Sequence, residues 1–176
     1  RVTLIENRDR LLEFADREII EALSYHLRDS RVTMRLGEEL ESVEEPTPGT
    51  VVANLASKKK VPGDALLYAI GRQGAIDDLN LPAAGLEADS RGRIAVDEHY
   101  KTKCDHIYAV GDVVGFPSLA SVSMEQGRIA ASRAFDDHAV TTNPGFYPYG
   151  IYTIPEISFI GKTEEQLTDE DVPYEV

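Results

Sequence analysis

A single cysteine, Cys104, stands in 176 residues. No internal disulfide, CxxC pair or cysteine-rich zinc site can therefore be built from this chain, and Cys104 reads as a half-buried thiol in a reducing compartment. Positive charge is also scarce. Eighteen Lys and Arg against 31 Asp and Glu leave a formal net charge of −13 and a pI near 4.7. Such a surface repels the phosphates of nucleic acid and an anionic membrane face, so neither is expected as a partner, and the acid excess reads as a solvated surface. No apolar window approaches the length of a transmembrane helix. The opening residues, RVTLIENRDR, lack a charged region followed by an apolar core, so no signal peptide is visible and the cytoplasm is the expected compartment. His26, His99, His106 and His138 show neither HExxH nor paired spacing, and no metal site is expected. Ser118, Ser121 and Ser123 lie in no GxSxG elbow. A glycine-rich GxGxxG phosphate loop is missing as well.

What is present is ordinary for a soluble globular protein, with 42% hydrophobic and 28% charged residues. Val2 to Ile5 is a continuous apolar run, the pattern of a buried strand in a parallel sheet. Asp16 can cap a helix running to about Leu27, with Ile19, Ile20, Leu23 and Leu27 on one face and Glu18, Glu21 and Arg28 toward water. RVTMRLG alternates and reads as a strand, so strand, helix and strand form one parallel crossover. From Glu41 to Gly71, short β-runs are broken by Pro46, Pro48, Gly49, Pro62 and Gly63. This predicts a small antiparallel meander, whose lysine turn, Lys58 to Lys60, blunts a sheet edge or tip. The meander closes in a buried apolar strand, Ala65 to Ile70, that runs into Gly71-Arg72.

Gln73 to Asp89 is loop-like and marks a domain crossing. GRIAVDEHYKTK and HIYAVGD read as two further strands, the second strongly apolar and ending at Gly111-Asp112. A loop with Gly115 and Pro117 leads into a helix from about Leu119 to Phe135, rich in small residues. Pro144 and Gly145 mark a second boundary, after which YGIYTIPEISFIG begins new β-structure. There is no internal repeat and no low-complexity run.

Three stretches carry chemistry. Glu6 ends the first strand, where an acid can accept hydrogen bonds from the ribose hydroxyls of a dinucleotide, while Arg8 and Arg10 suit a 2′-phosphate. Each bond to a charged group is worth roughly 1.5–3 kcal/mol. The alternative is an acid that merely ends a strand at the surface. Asp112 sits at the carboxyl end of a strand after Gly111, whose missing side chain lets a ligand come close. Its carboxylate can accept bonds from a polyol or cap the following turn, and the helix start downstream offers free N–H groups. Ala69-Ile70-Gly71 exposes backbone on which a ring could stack, and Arg72 adds a cation; an ordinary strand exit with a surface arginine is the other possibility. Glu125 and Gln126 read as solvated or capping residues.

LLYAIGR, then IYAVGDVVG with SLASVSMEQGRIAA, then YTIPEISFIGKTEEQL, in this order and spacing, resemble the flavoprotein pyridine nucleotide–disulfide oxidoreductase family over essentially the whole chain. The resemblance implies an α/β fold: partial NAD(P)-binding and FAD-binding three-layer ββα, Rossmann-like domains plus the start of an α+β interface domain. Residues 1–75 would be the rear of the NAD(P)-binding domain, 76–143 the returning segment of the FAD domain, and 144–176 the start of the dimerisation domain.

The same resemblance implies that Gly111 and Asp112 serve the ribityl chain of FAD and that backbone at Leu119, Ala120 and Ser121 approaches the flavin's pyrimidine edge. Glu6 would bind the adenosine ribose, with Arg8 for the 2′-phosphate. Ala69, Ile70, Gly71 and Arg72 would lie by the nicotinamide side of NAD(P). The implied reaction is hydride transfer between NADPH and NAD⁺ through FAD, with NAD(H) and NADP(H) as substrates, no catalytic acid or base in this segment, and a homodimeric subunit. The alternatives are a disulfide reductase of the dihydrolipoamide dehydrogenase type and a non-catalytic nucleotide-binding or dimerisation module. The glycine-rich loop is expected upstream of Arg1, so the chain is expected to be a segment of a longer subunit and to show no turnover alone.

Overall fold

The computed structural model describes residues 1–135 and 146–176. His138 and the Pro144-Gly145 boundary lie outside the described residues. The chain forms two compact units, Arg1–Ala69 with Pro148–Val176, and Ile70–Tyr147, each described by itself.

The first unit is built on the crossover that its sequence pattern predicts. β1 (Thr3–Glu6) and β2 (Thr33–Leu36) pair in parallel, Thr3 opposite Thr33 and Glu6 opposite Leu36. Between them runs α1 (Arg17–Asp29), whose first turn is fixed by Asp16: its Oδ1 accepts the Glu18 N–H at 3.2 Å. Glu18 in the first turn and His26 and Arg28 in the last complement the helix dipole. Leu11, Ala15, Ile20, Leu23 and Ile157 form the buried core, and Leu4, Leu27, Met34 and Leu36 pack on it. Two expectations need correction. β1 is half-buried rather than buried, because a sheet of two strands has a helix to cover only one face. Ile19 is exposed, since Ile20 and Leu23 fill the face turned to the core.

The meander also forms, as β3 (Leu40–Thr47), β4 (Thr50–Leu55) and β5 (Lys60–Gly63), ordered β3-β4-β5. Each lysine of its turn is paired: Lys58 with Glu41 at 3.1 Å, Lys59 with Glu38 at 2.5 Å and Lys60 with Glu44 at 3.2 Å. The closing strand expected over Ala65 to Ile70 is absent. Leu67, Tyr68 and Ile70 are 90%, 64% and 72% exposed, and no ladder forms there among the described residues. Apolar side chains favour a strand only where a second strand supplies the backbone partners.

β6 (Tyr149–Ile151) and β7 (Ile157–Phe159) form the expected new β-structure, an antiparallel pair in which the rings of Tyr149 and Phe159 stack at 4.8 Å across the strands. A short helix, Glu164–Asp169, follows, closed by a reciprocal capping box of Thr163 and Gln166. Its Glu164 N–H donates to Asp16 Oδ2 at 3.0 Å, so one carboxylate serves two helix starts.

The second unit has little regular structure before α2 (Ala120–Ala134), which begins and ends close to the predicted bounds. The two strands expected in GRIAVDEHYKTK and HIYAVGD are isolated bridges only, Ala88 with Ile94 and Lys101 with Tyr108. Carboxylates close these segments instead. Asp89 accepts the N–H groups of Arg91 and Arg93 at 2.8 and 2.9 Å, and Asp97 those of His99 and Lys101, both at 2.9 Å. These bonds hold both carboxyls below the usual range, that of Asp89 chiefly through the Arg93 N–H, and that of Asp97 against a desolvation that pushes it up. Side chain-to-backbone bonds of this kind compete with a strand ladder.

Candidate functional site

At the end of β1 the chain turns back on itself. Glu6 C=O accepts the Glu38 N–H at 3.0 Å, Glu6 Oε1 accepts the Arg8 N–H at 3.1 Å, and Arg8 C=O accepts the Gly37 N–H at 2.7 Å. The carboxylate is thus anchored through one oxygen, and Oε2 carries no hydrogen bond among the described residues.

The two nearby arginines separate. Arg10 donates to Glu165 Oε1 at 3.0 Å and to Glu13 C=O at 3.1 Å, so it is committed to the packing of the unit. Arg8 Nε lies 3.4 Å from Glu13 Oε2, with both side chains about half exposed. An ion pair of that exposure is worth about 0–1 kcal/mol. A phosphate, which can take two charge-assisted bonds from a guanidinium, competes easily with it.

The second group lies in the other unit. Gly111–Val114 is a single 3₁₀ turn in place of the expected strand end. Gly111 has φ +81°, a backbone conformation that favours glycine, and a Cβ there would sit in tight contact, 3.2 Å, with Ser123 Oγ of α2. The Gly111 N–H donates to Gln126 Oε1 at 2.6 Å. Gln126 is only 4% exposed, so of the two expected roles it is not a solvated amide but one that closes the start of the turn. Its position carried the signal, because Val122, Gln126, Ile129 and Ala130 follow the spacing of one helix face, and all four are buried. Glu125 is as expected a surface group: Arg128 hydrogen-bonds its carboxyl and holds it below the usual range.

Leu119 stands at the N-cap of α2 with extended backbone and no side-chain cap. Ala120 and Ser121 are exposed there, at a helix end where N–H groups have no intrahelical acceptor. Asp112, exposed on the 3₁₀ turn, meets Arg72: Nη1 lies 3.1 Å from Asp112 Oδ2, and Nη2 donates to Ser118 C=O at 3.1 Å. Ala69, Ile70 and Gly71 are exposed, and Gly71 has φ +129°. The structure therefore brings Arg72 to Asp112 and α2. Glu6 and Arg8 are brought together in the other unit.

Among the described residues no cluster of three or more His, Cys, Asp or Glu could hold a metal ion, and no helix is long and apolar enough to cross a membrane.

Comparison with known proteins bears on the resemblance read from the motifs. Residues 1–127 match the family model described as pyridine nucleotide-disulphide oxidoreductase. Across all 176 residues the chain is 52% identical to the soluble pyridine nucleotide transhydrogenase of Mycobacterium bovis (strain BCG / Pasteur 1173P2), of which it spans 37%. The transhydrogenase of the same name from Colwellia psychrerythraea is also 52% identical, and 38% of it is spanned. Among solved structures, 96% of the chain superposes on 39% of the HOCl-induced flavoprotein disulfide reductase RclA from Escherichia coli, with a TM-score of 0.85 and 29% identity. LpdA from Mycobacterium tuberculosis gives a TM-score of 0.88 and 26% identity, over 97% of this chain and 37% of that one. The chain thus spans a little over a third of the curated relatives it matches. The match over residues 1–127 takes in β1, the crossover, the 69–72 segment, the Asp112 turn and the start of α2, and the chain belongs to the pyridine nucleotide-disulphide oxidoreductase family.

Proposed function

We propose that the full-length protein transfers hydride between NADPH and NAD⁺ through FAD, and that this chain supplies part of the flavin site and part of the nucleotide site. The observation that carries the reading is the pairing of an exposed carboxylate, Asp112, on a glycine-dependent turn with the uncapped start of α2. That set offers an acceptor for hydroxyls beside donors for a carbonyl edge, which fits a flavin with its ribityl chain. FAD, when bound, supplies the two-electron hydride chemistry.

The chain's own groups bind and orient. Asp112 accepts from ribityl hydroxyls, with Gly111 allowing the approach. The backbone of Leu119, Ala120 and Ser121 faces the pyrimidine edge. Glu6 accepts from the adenosine ribose through its unbonded Oε2. Arg8 leaves Glu13 for a 2′-phosphate when NADP(H) is bound and rests on Glu13 when NAD(H) is bound. Ala69, Ile70 and Gly71 present backbone to the nicotinamide end. No acid or base of this chain is needed for the transfer.

Residues 1–75, 76–143 and 144–176 are assigned to the NAD(P), FAD and interface domains; the division after Ala69 supports the first boundary, while Pro148–Val176 packs in the same compact unit as Arg1–Ala69. Dimerisation through the last segment is supported by the nearly full exposure of Tyr152 and Ile154. The relatives' description as soluble supports a cytoplasmic enzyme.

The test is NADPH-dependent reduction of thio-NAD⁺ by the full-length protein, with lipoamide as a parallel acceptor. Transhydrogenation without lipoamide reduction is expected. Rapid lipoamide reduction would replace this reading with the disulfide reductase, a reading favoured by the likeness to RclA. A colourless, flavin-free protein would leave only a binding or dimerisation module.

A further inference from the structure

We infer that Arg72 is a positioning residue of the flavin-binding turn, not a contact to the nicotinamide nucleotide. The inference rests on the flavin reading of Asp112. A guanidinium is a planar fork with donors in fixed directions. Here the fork is divided between two partners: Nη1 lies 3.1 Å from Asp112 Oδ2, and Nη2 donates to Ser118 C=O at 3.1 Å. Those partners are the two ends of one turn, residues 112–118. The turn is also braced from inside, by the Gly115 N–H on Asp112 C=O at 3.2 Å and by Ser118 Oγ on Gly115 C=O at 3.4 Å.

Two consequences follow from this geometry. Nη1 at Oδ2 orients the Asp112 carboxylate, although both side chains remain about half exposed or more, and Oδ1, which has no hydrogen bond among the described residues, is left to a hydroxyl donor. Holding Ser118 C=O also fixes the residue that precedes the Leu119 N-cap, and with it the direction of the α2 N–H groups. One side chain thereby aligns the acceptor and the donors of the proposed flavin site. Two of its five N–H donors are committed to the two ends of this segment. A lysine would keep the charge and lose the fork.

The experiment measures FAD dissociation constants and the flavin's visible circular dichroism in the full-length protein for Arg72→Ala, Arg72→Lys, Asp112→Asn and the double variant Arg72→Ala/Asp112→Asn. Arg72→Ala is expected to weaken FAD about tenfold, the scale of one charge-assisted bond, and to alter the flavin band. Arg72→Lys should recover part of the loss. The loss in the double variant should be smaller than the sum of the two single losses, because Asp112→Asn already removes one of the two contacts through which Arg72 acts and only the Ser118 contact remains to be lost, and the KM values for NADPH and NAD⁺ should stay unchanged. Additive losses in the double variant would overturn the inference, as would weakened nucleotide binding with FAD retention intact. Unchanged FAD binding in Arg72→Ala beside a clear loss in Asp112→Asn would overturn it and leave the flavin reading standing. Unchanged FAD binding in Asp112→Asn would overturn both. Should Arg72→Ala not fold, the comparison of Arg72→Lys with Asp112→Asn decides the same question.

Discussion

Glu6 and Asp112 are both carboxylates delivered after an apolar run, yet they are held in different ways. Glu6 closes a strand paired with β2, and its own main chain turns back to receive one of its oxygens. Asp112 has no ladder behind it. It stands on a 3₁₀ turn fixed by a buried amide on Gly111 and by a guanidinium from forty residues earlier in the chain. In the first site the backbone does the holding, and the side chains Arg8 and Glu13 hang from it, exposed and replaceable. In the second, individual side chains do the holding. Substitutions near Glu6 should therefore tune specificity, whereas substitutions near Asp112 should cost cofactor or fold.

The largest effect is expected from Asp112→Ala in the full-length protein, about a hundredfold weaker FAD binding if its bonds to ribityl hydroxyls reach the upper range for a charged acceptor. Flavin content on purification and titration of the apoprotein check it. Full occupancy in the variant would remove the contrast with Glu6. Next comes Gln126→Leu, which leaves the Gly111 N–H without its acceptor at 2.6 Å. The expected cost is about 2 kcal/mol of stability, read from the denaturant midpoint. A stability equal to wild type would mean the turn does not depend on its buried amide.

Arg8→Ala should raise KM for NADPH about tenfold through loss of one charge-assisted bond and leave KM for NADH unchanged. Equal losses for both nucleotides would show that Arg8 does not read the 2′-phosphate. Glu13→Gln should shift the same ratio the other way by about twofold, since only an exposed ion pair is released.

The smallest effect concerns the meander. Lys59 first, then Ser57, hydrogen-bond Glu38 and hold its carboxyl below the ordinary value. Its folded-state value is thus lower than its unfolded one, so the stability it contributes is present above the ordinary glutamate range and is lost as pH falls through the lowered value. Glu38→Gln should be less stable than wild type at neutral pH, and the two should converge in acid. A constant difference at every pH would reject this coupling.

The readable parts of the sequence were those with a period or a cap. The crossover showed itself through Asp16 and the spacing of Ile20 and Leu23, the meander through its prolines and glycines, and α2 through its unbroken run from Leu119. Ala65 to Ile70 and His106 to Val110 misled for a common reason. An apolar run reports side-chain preference, whereas a strand requires a neighbour with backbone groups in register. Glu6, Gly111 and Asp112 could be named from their places after such runs, and the family motifs supplied their proposed roles. The contacts could not be named. Nothing local to Arg72 points to Asp112, and nothing local to Arg10 points to Glu165, 155 residues away. Gln126 had a legible position, but its polar character obscured its burial.

Asp16 closes more than a helix. Its two oxygens receive the N–H groups of Glu18 and Glu164, Arg10 reaches Glu165 beside it, and Ile157 enters the core formed by Leu11, Ile20 and Leu23. In terms of connectivity, the first thirty residues and the segment 148–176 form a ring fastened at one carboxylate, although most of the chain lies between them. The later segment is thus a wall of the unit that carries Glu6, and detaching it would bare that core and leave both Asp16 Oδ2 and the Arg10 guanidinium short of a partner.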